Sequence, residues 1–351
     1  MPRKKTTMED LARELGVSRL TVSKALRGLP GMSLETRRDI LRLAEAKGYL
    51  TREQKESALF EHTSLQSLQP RRFYMVLQEH NASPSHVHLE LLKGLNQRFH
   101  GTHSSVAPLF APAAASQSDA AWREWSDGCG LAFADGIFIP PMTPPELEKR
   151  LLDLPLPRIL LNFPPTGAMA DSVVWDVYES VRQAVQLLAE HGHRRILYIG
   201  DTRSSRGYRL RWSAFAEAMA EHGLEADPAR HLTAPQEADR IAWREEFIRL
   251  MTAEKPTALL NTVEGYLPWI YYLCSQSGLS IPADCSLVSL DVSAEPPAPG
   301  LCYFYLPVRE TGARAADRMI WRIANPGEPL EHLRLQGRLV RGDSLREAPR
   351  E

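Results

Sequence analysis

The spacing of apolar positions changes character along the chain. From Met8 to Lys47 they recur every three or four residues, as on amphipathic helices. The pattern predicts a helix over 8–15 stopped by Gly16, one over 18–26 before the breakers Gly28, Pro30 and Gly31, and one over 33–47 ending at Gly48. Residues 51–70 show no core face and end in Gln66-Ser67-Leu68-Gln69-Pro70, which reads as a linker. From Arg72 onward, short continuous apolar runs alternate with helical ones. Strands are predicted over 73–77, 136–139, 159–162, 173–175, 196–200, 258–261 and 286–290, and helices over 89–99, 179–191, 209–221, 267–277 and 308–324. Residues 112–121 read as a surface loop running into a helix start. Short all-apolar strands spaced by helices predict parallel sheets covered on both faces. There are too many for one small sheet, so two α/β lobes with a ligand cleft between them are expected.

Composition refines this picture. A chain of 351 residues exceeds one compact unit. No apolar run approaches the roughly 18 residues of a membrane span, and the basic start Met1-Pro2-Arg3-Lys4-Lys5 has no apolar stretch behind it. A cytoplasmic protein without membrane contact is expected. Cys129, Cys274, Cys285 and Cys302 have neither CxxC spacing nor a nearby ligand histidine, so reduced thiols and no structural metal are expected. The net charge of −1 hides an asymmetry: residues 1–50 carry 11 Lys/Arg against 6 Asp/Glu, the rest 31 against 37. A basic head on an acidic body suits DNA binding by one end.

The head carries the strongest chemical signal. In the run from Met8 to Leu26, Ala12 is small enough for two helices to approach, and Gly16 permits a tight left-handed turn. Val17 plugs the gap, and Ser18 caps the second helix. Val22 and Leu26 then point inward, leaving Arg19, Leu20, Thr21, Ser23 and Lys24 outside or at the edge. Such a helix fits the major groove by its first turns. Arg19 and Lys24 can donate to guanine and Leu20 can touch a thymine methyl, while Thr7, Thr21, Ser23 and Ser33 can bond phosphates. An ordinary three-helix bundle with a charged surface is the alternative.

The residues Thr7-Met8-Glu9-Asp10-Leu11-Ala12, Gly16 to Ser23, Met32 to Arg37 and Gly48-Tyr49 together resemble the headpiece of LacI/GalR-type repressors. The resemblance implies that Arg19, Leu20 and Lys24 read bases, and that Thr7, Thr21, Ser23, Ser33 and Thr36 contact or approach the backbone. Met8 and Ser18 complete the expected DNA-facing set. It continues more weakly to residue 344, through Leu91–Leu95, Asp171–Asp176, His191–Gly200, Arg209–Phe215, Ser286–Asp291, Leu306–Gly312 and Leu339–Ser344. It implies an all-α helix-turn-helix headpiece (1–50), a hinge (51–70) and a two-lobed periplasmic-binding-protein-like body (71–347). Lobe 1 is expected at about 71–163 and 293–322, lobe 2 at about 164–292 and 323–347. It also implies a homodimer on pseudo-palindromic operator DNA, modulated by a small molecule, a sugar or derivative, in the interlobe cleft.

By the same likeness the effector contacts fall on Arg211 and Asp291, whose guanidinium fork and carboxylate can bracket vicinal hydroxyls. Trp175 and Trp212 can offer faces to a sugar ring or pack in the core, and Asp176 can lie at the cleft or form a structural ion pair. The chain also departs from the pattern. Val263-Glu264 stands where Asn-Asp is usual, and Ser85-His86-Val87-His88 where Asn-Pro-Phe-Phe is usual, so an aromatic wall is lost. His80, His86 and His88 make a His-rich loop rather than a metal site.

A periplasmic sugar-binding protein would share the body but not the headpiece. An enzyme would need a nucleophile elbow, phosphate loop or metal spacing, none of which the sequence carries, and no cofactor is expected.

The hinge differs most. The family's Tyr-x-Pro-Asn-x-x-Ala-Arg-x-Leu reads here Tyr49-Leu50-Thr51-Arg52-Glu53-Gln54-Lys55-Glu56-Ser57-Ala58-Leu59. The minor-groove wedge position holds Ala58, with Leu59 one residue late, and Glu53 and Glu56 would repel phosphate. We expect this hinge either not to kink DNA or to do so through Leu59 in a shifted register. Circular-permutation gel shifts on the selected operator check this: a sharp central kink that persists in Leu59→Ala contradicts both forms.

Overall fold

In a computed structural model, the described residues are 7–26, 32–47, 49, 71–79, 85–100, 104–235, 239–293 and 297–349. The hinge motif at 51–60 and His80 lie outside them. The chain divides into two compact units, Met1–Pro70 and Arg71–Glu351.

The first unit contains α1 (Met8–Glu14), α2 (Arg19–Leu26) and α3 (Leu34–Ala46). Their helical spacing buries Leu11, Ala12, Val22, Ala25, Ile40 and Ala44 against one another, with Leu15, Val17, Leu26 and Tyr49 around them. Gly16 takes φ +64°, the left-handed turn anticipated for it. The turn lets the Val17 amide donate to the Ala12 carbonyl at 3.0 Å.

The second unit holds two sheets. The first runs β10-β5-β4-β3-β1-β2, from β1 (Arg72–Gln78), β2 (Ser105–Ala111), β3 (Gly136–Ile139), β4 (Arg158–Leu160), β5 (Asp171–Asp176) and β10 (His332–Gln336). Every pairing in it is parallel. The second runs β11-β9-β8-β7-β6, from β6 (Ile196–Ile199), β7 (Ala258–Asn261), β8 (Ser286–Asp291), β9 (Cys302–Tyr305) and β11 (Arg338–Val340), with β11 antiparallel at its edge. Strands β3, β6, β7 and β8 are buried along their whole length, as expected of sheets covered on both faces. The covering helices include α4 (His86–Phe99), α7 (Pro145–Leu152), α8 (Val177–Glu190), α9 (Arg206–Glu221), α10 (Arg240–Glu254), α11 (Leu267–Gln276) and α12 (Val308–Ala324).

Three features differ from the sequence reading. Residues 112–121 are not a loop: α5 (Ala113–Gln117) and α6 (Asp119–Gly128) occupy the stretch, and Ala115 and Ser116 are buried. Strand β2 was hidden by Pro108, which an edge strand accommodates because one side of it needs no amide. The lobe boundaries also move. Strand β5 pairs with β4 (Ile159↔Asp171) and so belongs to the first sheet instead of opening the second lobe. Strand β9 pairs with β8 and stays in the second sheet (Val288↔Cys302). The chain therefore crosses between sheets after β5, after β9 and at Gly337, between β10 and β11. A Cβ at Gly337 would meet Ser180 Oγ and the Tyr305 carbonyl at 2.8 Å each, so the third crossing needs glycine.

Close approach also fixes α12 on α4. A Cβ on Gly94 would lie 1.9 Å from the Arg309 carbonyl, and one on Gly312 2.3 Å from the Leu91 carbonyl. Neighbouring in space is the fully buried Asp171. Its carboxylate accepts from Arg318 at 2.7 Å, from Arg322 at 2.6 Å and from the Glu331 amide at 2.8 Å. Arg322 also donates to the carbonyls of Glu328 (2.7 Å) and Pro329 (2.8 Å), and the Arg318 guanidinium lies 3.8 Å from the Trp321 ring centroid. Burial alone would raise the Asp171 pKa, but the two guanidinium partners outweigh it and hold it below the usual range.

Two predictions follow from these buried groups. Asp171→Ala removes the buried counter-charge that Arg318 and Arg322 share, leaving Arg318 only the half-exposed Glu331 at 2.7 Å, and should cost about 3–5 kcal/mol of body stability, read from urea unfolding by tryptophan fluorescence. A loss under about 1 kcal/mol would mean the pair contributes little beyond packing. His231 is buried, its Nδ1 lies 3.2 Å from the Tyr198 amide as acceptor, and burial depresses its pKa from 6.5 to about 4. The folded state binds this proton less readily than the unfolded chain. The contribution is thus complete above about pH 6.5 and lost as pH falls through about 4, worth roughly 3 kcal/mol in total. His231→Asn should flatten the decline in urea midpoint between pH 7 and pH 4.5; an unchanged slope assigns the acid sensitivity elsewhere.

Candidate functional site

The headpiece presents its chemistry at helix starts. Thr7 caps α1 in a reciprocal box: Thr7 N donates to the Asp10 carboxylate at 2.9 Å, and Asp10 N donates to Thr7 Oγ1 at 3.3 Å. Ser18 accepts the Thr21 amide at 3.0 Å and bonds the Thr21 hydroxyl at 2.8 Å. Ser33 repeats the arrangement at α3, with the Thr36 amide at 3.0 Å and its hydroxyl at 2.7 Å. The hydroxyls expected near phosphate are therefore cap groups, and each stands where helix amides favour an anion. Arg19 is exposed and Leu20 is 61% exposed, an apolar side chain that no core requires. Thr21, Ser23 and Lys24 are half-buried along the same helix, and Met8 packs against the headpiece core.

In the body, a cleft of about 520 Å³ of open space lies where the two sheets meet. The start of α4 contributes Val87 and His88, the loop after β3 Pro141 and Met142, and the end of β4 Leu161, Asn162 and Phe163. Val174, Trp175 and Val177 come from β5 and its exit. The first turns of α9 add Ser205, Gly207, Tyr208 and Arg211. Ser205 caps α9 by accepting the Tyr208 amide at 3.2 Å, which orients that turn into the cleft.

Of the expected effector residues, Arg211 and Trp175 share this lining. Arg211 is buried, its Nε has no acceptor, and it forms no ion pair among the described residues; its guanidinium lies 4.6 Å from the Tyr208 ring centroid. The buried Trp175 indole nitrogen likewise has no acceptor. Asp291 and Glu264 are not in the lining. The Asp291 carboxylate accepts the Ser293 amide at 2.9 Å, and burial raises its pKa against that bond. Glu264 lies 2.7 Å from His86 Nδ1; burial raises its pKa, opposed by that hydrogen bond. Asp176 caps α8 by accepting the Glu179 amide at 3.1 Å. Trp212 packs edge-on to Tyr198 (5.2 Å) and against Phe215 (5.6 Å), so its face is spent in the core.

Sequence reasoning missed Tyr208, Phe163, Asn162 and His88 as lining residues. The available signal was spacing: Tyr208 and Arg211 are three apart and share a helix face. His88 Nε2 lies 3.0 Å from the Pro141 carbonyl, and burial lowers its pKa, which keeps the ring neutral. A histidine–carboxylate hydrogen bond and an ion pair join the lobes beside the cleft. His86 at the start of α4 reaches Glu264 beyond β7, and Arg206 at the start of α9 reaches the buried Glu148 on α7 at 2.6 Å. Arg206 also donates to the Phe163 carbonyl at 2.7 Å. Among the described residues no cluster of three His, Cys, Asp or Glu could hold a metal ion, and no helix is long and apolar enough to cross a membrane.

A helix-turn-helix unit followed by two lobes of mostly parallel strands around a cleft is a build that the chain shares with LacI/GalR-type transcription regulators. The periplasmic binding protein-like domain family matches residues 185–345. The chain is similar to the HTH-type transcriptional regulator AglR of Rhizobium meliloti, 26% identical over 97% of this chain and 95% of that protein. It is 21% identical to the HTH-type transcriptional regulator GntR of Escherichia coli over 98% of this chain and all of that protein. Among solved structures it resembles a transcriptional regulator CelR–cellobiose complex, with a TM-score of 0.64, 21% identity and coverage of 97% of this chain and 100% of that one. It also resembles a lac repressor dimer bound to operator, with a TM-score of 0.63, 18% identity and coverage of 97% and 99%. These relatives are named as regulators of transcription.

The His86–Glu264 contact at 2.7 Å ties the two lobes together beside the cleft. Glu264→Ala and His86→Ala should each enlarge the radius of gyration of the effector-free chain in small-angle scattering, with no further change in the double variant. Superimposable curves would remove the pair from the control of lobe closure.

Proposed function

We propose that the chain is a sequence-specific DNA-binding regulator, acting as a homodimer with one headpiece on each half of a pseudo-palindromic operator. In this reading residues 1–50 are the DNA-binding unit, 51–70 the hinge and 71–347 the effector-binding and dimerisation body, and the protein works in the cytoplasm. The carrying observation is the first turn of α2, where Arg19 and Leu20 are exposed beside a Ser18 cap. That turn has the shape and chemistry to enter a major groove. Thr7, Met8, Thr21, Ser23, Lys24, Ser33 and Thr36 line the flanks and support backbone contacts. The lac repressor neighbour, solved as a dimer on its operator, supports the mode of assembly.

The effector half of the reading rests on the interlobe cleft. Arg211 and Trp175, each with a buried nitrogen that has no acceptor, both line this cavity and can offer a ligand donors. A small molecule there bridges both lobes, so it binds their closed and open arrangements unequally, which is the condition for a switch. A sugar effector has the support of the neighbour solved with cellobiose. Glu264, Asp291 and Asp176 then act around the cleft through its ion pairs, strand ends and caps.

Operator selection from random DNA, repeated with Arg19→Ala, tests the DNA reading. The variant should lose preference at one position of each half-site, with a cost of about 1–3 kcal/mol for the preferred base. Equal weakening on every sequence would make Arg19 a phosphate contact, and no selected sequence from the parent would defeat the proposal.

A further inference from the structure

We propose that Glu148 and Arg206 are positioning residues of the interlobe cleft, and that their pair, more than the His86–Glu264 contact, sets how readily the two lobes part. This rests on the cleft being the effector site and names a control of its opening. Neither Glu148 nor Arg206 lines the cleft, but their neighbours do: Ser205 and Gly207 flank Arg206, and Phe163 faces them from the first lobe. The Arg206 side chain reaches from the start of α9 to the first lobe and is held there at two atoms. Its Nε donates to the Phe163 carbonyl at 2.7 Å, and a terminal nitrogen donates to the Glu148 carboxylate at 2.6 Å. The Phe163 ring lies over the same turn, since a Cβ on Gly207 would be 3.7 Å from it. Arg206 thus fixes the turn that carries Tyr208 and Arg211 against the end of β4.

The two interlobe contacts differ in what separation leaves behind. The Glu148 side chain is 3% exposed, and Arg206 is its one charged partner among the described residues. Leu147 and Leu151 are buried on the same stretch of α7, so the helix seats this carboxylate toward protein. Withdrawing Arg206 with the second lobe leaves a buried carboxylate without its counter-charge, a large penalty for a single group. The His86 and Glu264 side chains are 49% and 26% exposed, so water replaces either partner at little penalty. His86 also has Glu90 at 3.7 Å on its own helix and keeps that carboxylate beside it after separation. The exposed contact yields easily, and the buried one resists.

Hydrogen–deuterium exchange on the full chain reads the opening directly, in peptides spanning residues 161–163 and 205–211. Glu148→Gln keeps the shape and removes the charge. Arg206→Lys keeps the charge but loses the fork that bonds Glu148 and Phe163 together. Each should speed cleft exchange by at least about fivefold, and the double variant should add little. His86→Ala should speed it less than either. Peptides at 137–139 and 258–261, inside the two sheets, should be unchanged. Unchanged cleft exchange, or an effect no larger than that of His86→Ala, would show that water compensates Glu148 as it does Glu264, and overturns the proposal. Acceleration shared equally by the sheet peptides in both variants means a role in stability alone and also overturns it. Affinity for the selected operator separates this proposal from the reading beneath it. Faster cleft exchange with unaltered operator affinity keeps Glu148 and Arg206 in control of opening and defeats the cleft as the switch.

Discussion

The geometry of the body depends on how a single buried carboxylate is satisfied. Asp171 opens β5 at the end of the first sheet's N-terminal run, and it has no access to water. An ionised carboxylate in that position is tenable only with complete compensation. Arg318 and Arg322 supply it from one face of α12, four residues apart, and the Glu331 amide completes it from the segment leading into β10. One charge therefore gathers three parts of the chain that are distant in sequence. It seats the returning helix on the first sheet and delivers β10 to the side of β5 (His332↔Ser172). The Gly94 and Gly312 contacts then bring α4 and α12 together backbone to backbone, and the start of α4 comes to the cleft.

The cleft inherits its chemistry from this arrangement. Strand β5 must be in the first sheet for Trp175 to stand on one wall, and α9 must cover the second sheet for Arg211 to reach the same space. Residues at the cleft margin that look alike in sequence end up in different roles. Asp176 is consumed as a helix cap, Glu264 as half of an interlobe pair, and Asp291 by a backbone amide at a strand end. Arg211 reaches the cleft with no hydrogen-bond acceptor at its Nε. The difference is a matter of which acceptors lie within reach, and a guanidinium stacked over Tyr208 has a ring beneath it instead of a carboxylate.

The headpiece follows a different rule, because its contacts are local. Ser18 and Thr21, or Ser33 and Thr36, are three residues apart, and a helix start brings such a pair together without help from the rest of the fold. The same locality explains why Gly16, Val17 and Val22 could be assigned roles from spacing alone. It also explains the one shift there: Ala25 joins Val22 in the core while Leu26 is only half-buried, since a one-residue rotation of a short helix changes which side chain points inward.

What the sequence determined by itself were the properties set over a few residues. These are the helix-turn-helix with its caps and turn, the alternation of buried strands and helices, and the presence of Arg211 and Trp175 in suitable contexts. Only the tertiary structure decided sheet membership, because β5 and β9 read as apolar strands in either lobe and long-range pairing chooses between them. It alone decided that residues 112–121 are helical, that the proline-bearing β2 is an edge strand, and that Glu264 faces His86. Each of these depends on a partner tens or hundreds of residues away. A sequence pattern records what a side chain can do, while its burial and its neighbours settle what it is left free to bind.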